Sequence, residues 1–440
     1  MLSCTREAAP KYVVDAPPGK FPLTLGHTGL SVSEYMVKCS QMARQTRVLA
    51  EIEADHLIVG SYPQAVQRIL GSTTPTAMTD EEASHSLSFV FDAIDEATDT
   101  GFVNTFTVDT TSLVDLSTEK TSKEDLAKGF NEISNARALL KEYAREFRFS
   151  WTDGTLHTAR LSDEDVMRAA LQFNRSLDYS FKIYSHIRER MGNKPFGFEL
   201  TLDELRKPTG KELVYYLQEW RKLGAHVDFI APNIGFRKRA DFNGNLQVLK
   251  QQLSFLAAVA HSFGALLSIH SGSGENPYGG KGKGVYQTIL EATSGRVKYK
   301  ISGVYFELFM DLLAKSKTAR HKELFERILS DVSSYWEEQI NTNTQLADAT
   351  VQKMFHSFKN ARGTHRAESG SRSEFFRHYS FVSLNLRDNG GKRYLKDELV
   401  TLYNNDNRLQ KLVDREMKAL TLRLIDGVKF ADNLSQKRAP

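Results

Sequence analysis

Short runs rich in β-branched and aromatic residues recur along the chain, separated by stretches whose apolar residues return every three or four positions. A period of two marks a strand and a period near 3.6 marks a helix. Eight strands are predicted: 21–25 (FPLTL), 47–54 (RVLAEIEA), 104–109 (NTFTVD), 196–201 (FGFELT), 226–232 (HVDFIAP), 266–270 (LLSIH), 297–302 (VKYKIS) and 378–384 (HYSFVSL). Helical patterns fill about 124–147 and 162–191, the second opened by Ser162 with Asp165 three residues on, a variant capping box. Thr209 and Glu212 form a standard capping box ahead of Leu213, Tyr216, Leu217 and Trp220, and Gly224 ends that helix. Leu246, Leu249, Leu253, Leu256 and Ala260 repeat the pattern before Gly264.

Strand, amphipathic helix, strand, repeated between 196 and 302, is the pattern of parallel βαβ units. With eight strands the expected fold is α/β: a closed (β/α)8 TIM barrel, one domain over 1–440. Helical insertions are expected at about 121–191 and 320–360, and C-terminal helices at about 393–428. A doubly wound open sheet is the alternative.

Alternate residues of a strand face opposite ways. In these strands one set is apolar: Phe106 and Val108, Phe198 and Leu200, Leu267 and Ile269, Val297, Tyr299 and Ile301. The other set is polar: Glu51, Glu53 and Asp55; Thr105, Thr107 and Asp109; Glu199 and Thr201; Asp228; Ser268 and His270; Lys298 and Lys300. Buried charge is costly unless paired or bound to a metal, so six strands aiming polar groups one way describe a site and not a packed lumen. Taken singly, each residue has a plainer reading: a surface acid, a capping group, a satisfied core histidine.

Carboxylates with imidazoles at strand carboxyl ends are a ligand set for a divalent ion such as zinc or manganese. His56, Asp109, Glu199 and His270 lie at or just past strand ends. Strand parity puts His56 on the helix side, so it qualifies only if its strand has ended by Asp55. Spacing alone does not separate ligands from general bases. After His270 the run SGSGENPYGGKGKG is dense in glycine, which suits either a plain turn or backbone amides approaching a small polar ligand.

Composition narrows the rest. Apolar residues make up 40% and charged residues 25% of 440, ordinary globular usage. Lys+Arg of 58 against Asp+Glu of 54 leaves +4, and the densest basic run, GFRKRADF at 235–242, reads as a solvated loop, so no nucleic-acid partner is expected. Cys4 and Cys39 are too few for a disulfide framework. No apolar run spans a membrane, and a cytoplasmic location is the expectation.

EADHL (53–57), FTVDTTSLVD (106–115), FELTLDE (198–204), DFIAPNIG (228–235), DFNGNL (241–246), HSGSG (270–274) and KISG (300–303) resemble, in order and spacing, the tagaturonate epimerase family. That resemblance implies a metal-dependent, barrel-type isomerase interconverting the keto sugar acids tagaturonate and fructuronate in hexuronate catabolism. It carries over Asp55, His56, Asp109, Glu199, Asp203, Glu204, His270, Ser271 and Lys300, each inside a matching motif.

The roles expected on that basis are His56, Asp109, Glu199 and His270 as ligands of one Zn, Mn, Co or Ni ion. Asp203 or Glu204 would be the base, and Lys300 would polarise an oxygen or form a Schiff base. Asp55, Asn233, Ser271 and Ser273 would bind substrate. The family's substrates differ at a carbon beyond the acidic α position, which retro-aldol cleavage and re-addition can invert and simple enolisation cannot.

Two departures bear on the substrate. Asn233 stands where the family has Arg, and Gly274, Glu275, Asn276 and Pro277 replace an Asp-Lys-Phe-Ser stretch. Both cations that would clamp a carboxylate are thus absent, with Lys281, Lys283 and Arg237 as the nearby basic residues. The alternatives are an aldolase-type lyase on a related, uncharged or phosphorylated sugar, and a non-catalytic sugar-binding barrel. A homo-oligomer is also allowed.

Overall fold

The computed structural model describes residues 2–3, 7–21, 23, 25–46, 49–60, 78–203, 205, 210–301, 303–344, 346–361 and 370–431. Its strands are β1 (Leu2–Ser3), β2 (Ala8–Ala9), β3 (Leu30–Ser31), β4 (Ile52–Ile58), β5 (Thr105–Asp109), β6 (Glu146–Ser150), β7 (Leu156–Arg160), β8 (Gly197–Leu202), β9 (Phe229–Pro232), β10 (Leu266–Ile269) and β11 (Val297–Tyr299). Seven of them form one sheet in the order β1-β4-β5-β8-β9-β10-β11, parallel throughout.

The expectation of a closed eight-stranded TIM barrel is overturned. Among the described residues no ladder joins β11 to β1, so the sheet is an open half-barrel. Two of the eight expected strands do not form, and they are the first and the last. In 21–25 the described residues are turns and bends, and Pro22 supplies no ladder donor. The segment 378–384 is helical: Ser373 caps Glu374–Tyr379 by accepting from the Phe376 amide, and a 3-10 turn, Ser380–Leu384, continues it. Its aromatic content is that of a strand. Its spacing is that of a helix, with Phe375, Tyr379 and Val382 buried along one side.

The crossovers are helical, as parallel strands require. Asp80–Asp99 joins β4 to β5 behind a full Thr79–Glu82 capping box, and Asp163–Met191, opened by the reciprocal Ser162–Asp165 box, leads into β8. Gly210–Lys222, Leu246–Ser262 and Val285–Thr293 follow in turn. Within 121–191 the chain also forms an antiparallel hairpin, β6 with β7. The helix-facing side of the sheet is the core: Phe106, Phe198, Leu200, Ile230, Leu267 and Ile269 pack against Leu213, Trp220, Leu253 and Leu256.

Beyond β11 six helices, Val304–Lys315, Ala319–Asn341, Ala349–Ala361, Glu374–Tyr379, Tyr394–Asn405 and Asn407–Gly427, build a second apolar cluster around Trp336, Phe358, Tyr379 and Leu395. Asp406 separates the last two by capping the Arg408 and Leu409 amides, and both fall within the span expected for C-terminal helices. No helix among the described residues is long and apolar enough to cross a membrane.

Candidate active site

The polar side of the sheet is as buried as the apolar side. Glu53, Thr107, Glu199 and Ser268 are all 0% exposed, which makes charge pairing obligatory there. Register supplies the pairs. Thr107 lies opposite Glu199, and Ser268 opposite Lys298. Lys298 Nζ sits 2.8 Å from Glu53 Oε1, 3.0 Å from Glu199 Oε2 and 3.1 Å from Glu51 Oε2. Lys300 Nζ, one step past β11, reaches Asp55 Oδ1 at 2.6 Å, Thr107 Oγ1 at 2.8 Å, and Glu53 and Glu199 Oε1 at 3.1 Å.

Burial alone would drive Lys300 to neutrality, yet Asp55, Glu199 and Glu53 hold its amine well above the ordinary lysine value. It is a fixed ammonium. Burial likewise opposes ionisation of Glu199, and Lys300, Lys298 and His270 outweigh it and hold the carboxyl below its ordinary range.

His56 reaches the site through a bulge. Between β4 and β5, Ala54 pairs with Phe106 but Leu57 with Val108, so β4 carries one extra residue at Asp55–His56. His56 takes a left-handed backbone, φ 53°, which a β-branched or bulky side chain rarely adopts. The strand therefore runs on to Ile58, and the bulge turns both Asp55 and His56 toward the polar side where simple alternation allows one. His56 Nδ1 then lies 3.5 Å from Asp109 Oδ2, and Nε2 lies 3.9 Å from Asp55 Oδ1.

His270 and Asp203 each sit one residue past a strand end, after β10 and β8. His270 Nε2 is 2.7 Å from Glu199 Oε1, and its Nδ1 is 3.0 Å from Asp203 Oδ2 without the alignment of a hydrogen bond. Thr201 Oγ1 donates to the other Asp203 oxygen at 2.5 Å and fixes the carboxylate. The His56 and His270 rings are 4.9 Å apart. Burial opposes charge on both His270 and Asp203, and their mutual attraction overcomes it, raising the imidazole and lowering the carboxyl.

His56, Asp203 and His270 each offer one ligand atom, all within 4.8 Å of one another. Among the described residues the Nδ1 atoms of both imidazoles are buried and make no hydrogen bond. Two buried imidazole nitrogens beside a carboxylate oxygen are, once deprotonated, the donor set of a borderline divalent cation, so these residues fit such an ion.

The expected site residues are thus distributed unevenly. His56, Asp203 and His270 converge. Glu199 backs His270 from its second nitrogen. Asp109 accepts from the Thr111 amide at 3.0 Å and the Thr111 hydroxyl at 2.5 Å, and stands behind His56. Asn233 is spent on loop structure, donating to the Leu205 carbonyl at 2.6 Å and accepting from the Gly235 amide at 2.7 Å. Ser273 Oγ accepts from the Arg239 amide at 3.2 Å, and Ser271 is left-handed at φ 56°. Glu204 lies outside the described residues.

Lys281, one of the possible substitutes for the absent clamp, is 1% exposed and donates to the Ser273 and Arg237 carbonyls. Around Gly274 the loop approaches itself: a Cβ there would stand 1.8 Å from the Gly280 carbonyl oxygen. The run at 235–242, read as solvated, instead buries most of Arg239 against Glu307.

A sequence model of the tagaturonate epimerase family matches residues 89–422, about three quarters of the chain. The match begins beyond β4, so the placement of Asp55 and His56 rests on geometry. Among curated proteins no relative matches. The glycerol-bound structure of fructuronate-tagaturonate epimerase UxaE from Cohnella laeviribosi, with two glycerols, has a TM-score of 0.62 at 17% identity, covering 91% of this chain and 72% of that one. The native structure of the same enzyme gives 0.55 at 17% identity, covering 86% and 74%. At that identity the likeness carries the fold. The family match over most of the chain carries the rest: this protein belongs to the tagaturonate epimerase family, the isomerase class of carbohydrate epimerases.

Proposed function

We propose that the protein interconverts tagaturonate and fructuronate at a divalent-metal site formed by His56, Asp203 and His270. The observation that carries this reading is the convergence of those three side chains with two buried imidazole nitrogens lacking hydrogen bonds. It reassigns Asp203 from base to ligand, and Asp109 and Glu199 from ligands to the groups that orient the two imidazoles. A bound ion would supply Lewis acidity toward the ketone and the neighbouring hydroxyl of the substrate.

The protein's own groups account for the rest. Inversion proceeds by breaking the bond between the carbon next to the ketone and the carbinol carbon beyond it. The bond's electron pair passes into the ketone-derived fragment as its enediolate, and the carbinol hydroxyl proton passes to a base. The carbinol becomes an aldehyde, turns over, and the same bond re-forms on its other face with the proton returned. Asp55 is the base we favour. Its side chain is 10% exposed, against 1% for Asp109 and 0% for Glu53 and Glu199, so substrate reaches it most readily. The Lys300 ammonium holds Asp55 in place, and its charge favours the negative charge that develops on the substrate.

The test is elemental analysis of purified wild type, His56→Ala and His270→Ala, alongside conversion of tagaturonate followed by chromatography. About one ion per chain in wild type, absent from both variants together with activity, supports the reading. A full complement of metal in both variants overturns it. Escape of a free aldehyde acid in place of the epimer would favour a lyase.

A further inference from the structure

Asn233 and Gly274–Pro277 put no cation where the resemblance placed Arg and Lys, and a sugar acid calls for a cation at its carboxylate. The loops around Ser273 and Gly303, which follow His270 and Lys300, lead to a cavity of about 140 Å³, with room for roughly ten waters. Its lining includes Lys238, Arg239, Glu307, Arg377 and His378, with Glu7 as a second carboxylate. It adjoins the cluster through two loops: the Arg239 amide binds Ser273, three residues past His270, and Gly303 lies three residues past Lys300.

Arg239 is the group aimed into this cavity. Its backbone is left-handed, φ 57°, an unfavourable state for a residue this long, and strain of that kind persists where the surroundings over-determine it. Three things do so here. Glu307, 5% exposed, accepts the Arg239 Nε on one oxygen and the Arg377 Nε on the other, at 2.9 Å for Arg377. The terminal nitrogens of Arg377 are used up on the Arg239 and Gly274 carbonyls. Gly303, φ 74°, leaves the space: a Cβ there would stand 2.7 Å from an Arg239 terminal nitrogen. Among the described residues those two terminal nitrogens make no hydrogen bond, so a fixed guanidinium edge faces the cavity.

We propose that Arg239 is the carboxylate clamp of this enzyme, taking both oxygens of the sugar acid's terminal carboxylate on its two terminal nitrogens, in place of the cations missing at 233 and after Ser273. The proposal rests on the sugar-acid reading above. Bidentate pairing of a planar guanidinium with a carboxylate is the geometry that Arg offers and Lys does not. His378 complements it. Its Nδ1 is committed to the Glu374 carbonyl at 2.8 Å, and burial together with Arg239, Arg377 and Lys238 pushes its pKa down to about 3, so the ring stays neutral and accepts from a sugar hydroxyl. The positive charges that add to burial in keeping His378 neutral are also what a carboxylate seeks. Held by that end, the aldehyde fragment can turn over without leaving.

The experiment compares tagaturonate with its neutral counterpart, tagatose, in wild type, Arg239→Gln and Arg239→Lys, by kinetics and by calorimetric binding. In Arg239→Gln the KM and Kd for tagaturonate rise roughly 10- to 100-fold, the usual worth of a charge-assisted hydrogen bond, while kcat/KM for tagatose is unchanged. Arg239→Lys keeps the ion pair with Glu307 and still raises the tagaturonate KM, so it serves if the Gln variant does not fold. Equal losses on acid and neutral sugar, or none on either, overturn the clamp. Tighter binding of tagatose 6-phosphate than of tagaturonate overturns the carboxylate in favour of a phosphate. Tagaturonate binding that is lost in Arg239→Gln, in a wild type that turns nothing over, upholds the clamp and sinks the epimerase reading alone.

Discussion

Glu199 Oε1 stands 2.7 Å from His270 Nε2, so the ring nitrogen opposite the one beside Asp203 is held by a carboxylate that is itself fully buried. An imidazole tethered this way keeps its other nitrogen aimed and its basicity raised. Glu199→Gln retains a hydrogen-bonding oxygen but removes the charge. Metal affinity, measured by competition with a chelator of known strength, should fall about 10- to 100-fold, with the fold intact by circular dichroism. Unchanged affinity would mean that Glu199 serves only the lysines.

Lys300 is expected to act as a charge and never as a nucleophile. Lys300→Met removes the ammonium that stands 2.6 Å from Asp55 and one of the two lysines that Glu53 and Glu199 face, and should lower stability by about 3–5 kcal/mol in urea unfolding, since breaking a buried pair strands charge in the interior. Borohydride added during turnover of wild type should trap no adduct by mass spectrometry. A trapped lysine would restore the Schiff-base route.

Acid should unfold the metal-free protein through the same cluster. Glu199 and Asp203 are carboxyls whose folded pKa is lowered below the unfolded value of about 4. Such groups bind fewer protons folded than unfolded, so their stabilisation is present above that value and is lost as pH falls through it toward the lowered one. Thermal midpoints taken in chelator from pH 6 to 3 should drop more steeply for wild type than for Glu199→Gln. Parallel curves would contradict the pairing.

The glycine loop should be intolerant for a reason internal to the protein. Gly274→Ala puts a Cβ 1.8 Å from the Gly280 carbonyl oxygen and should cost about 1–3 kcal/mol, as overpacking does. Gly370→Ala, whose Cβ meets nothing within 4 Å, is the control and should be silent in the same thermal assay.

Much of this site could be read from alternation alone. Glu53, Thr107, Glu199, Lys298 and Lys300 share one side of the sheet because a strand has no freedom to place alternate residues otherwise. His56 broke that rule, since a bulge is an insertion that period-two reasoning cannot register. Barrel closure failed at 378–384, where β-prone aromatics outweighed a helical spacing set by the Ser373 cap. The hairpin of β6 and β7 carried its own signal, Asp153-Gly154 between alternating residues, in the stretch between the helical patterns at 124–147 and 162–191 where no strand was read. Arg239 was hidden by a sound prior: a run of basic residues is normally solvated, and only the burial of Glu307, far along the chain, changes its meaning.

The open sheet has a consequence for how such an enzyme can diversify. His56, Asp203, His270 and Lys300 come from the sheet and its margin, whereas Glu307, Arg377 and His378 come from helices past its last strand. The partners that fix Arg239, itself on the loop after β9, therefore sit on a separate stretch of chain from the converging side chains. Mutations in the helical half can shift Arg239 while His56, Asp203 and His270 are left untouched, so relatives sharing those three residues need not share a substrate.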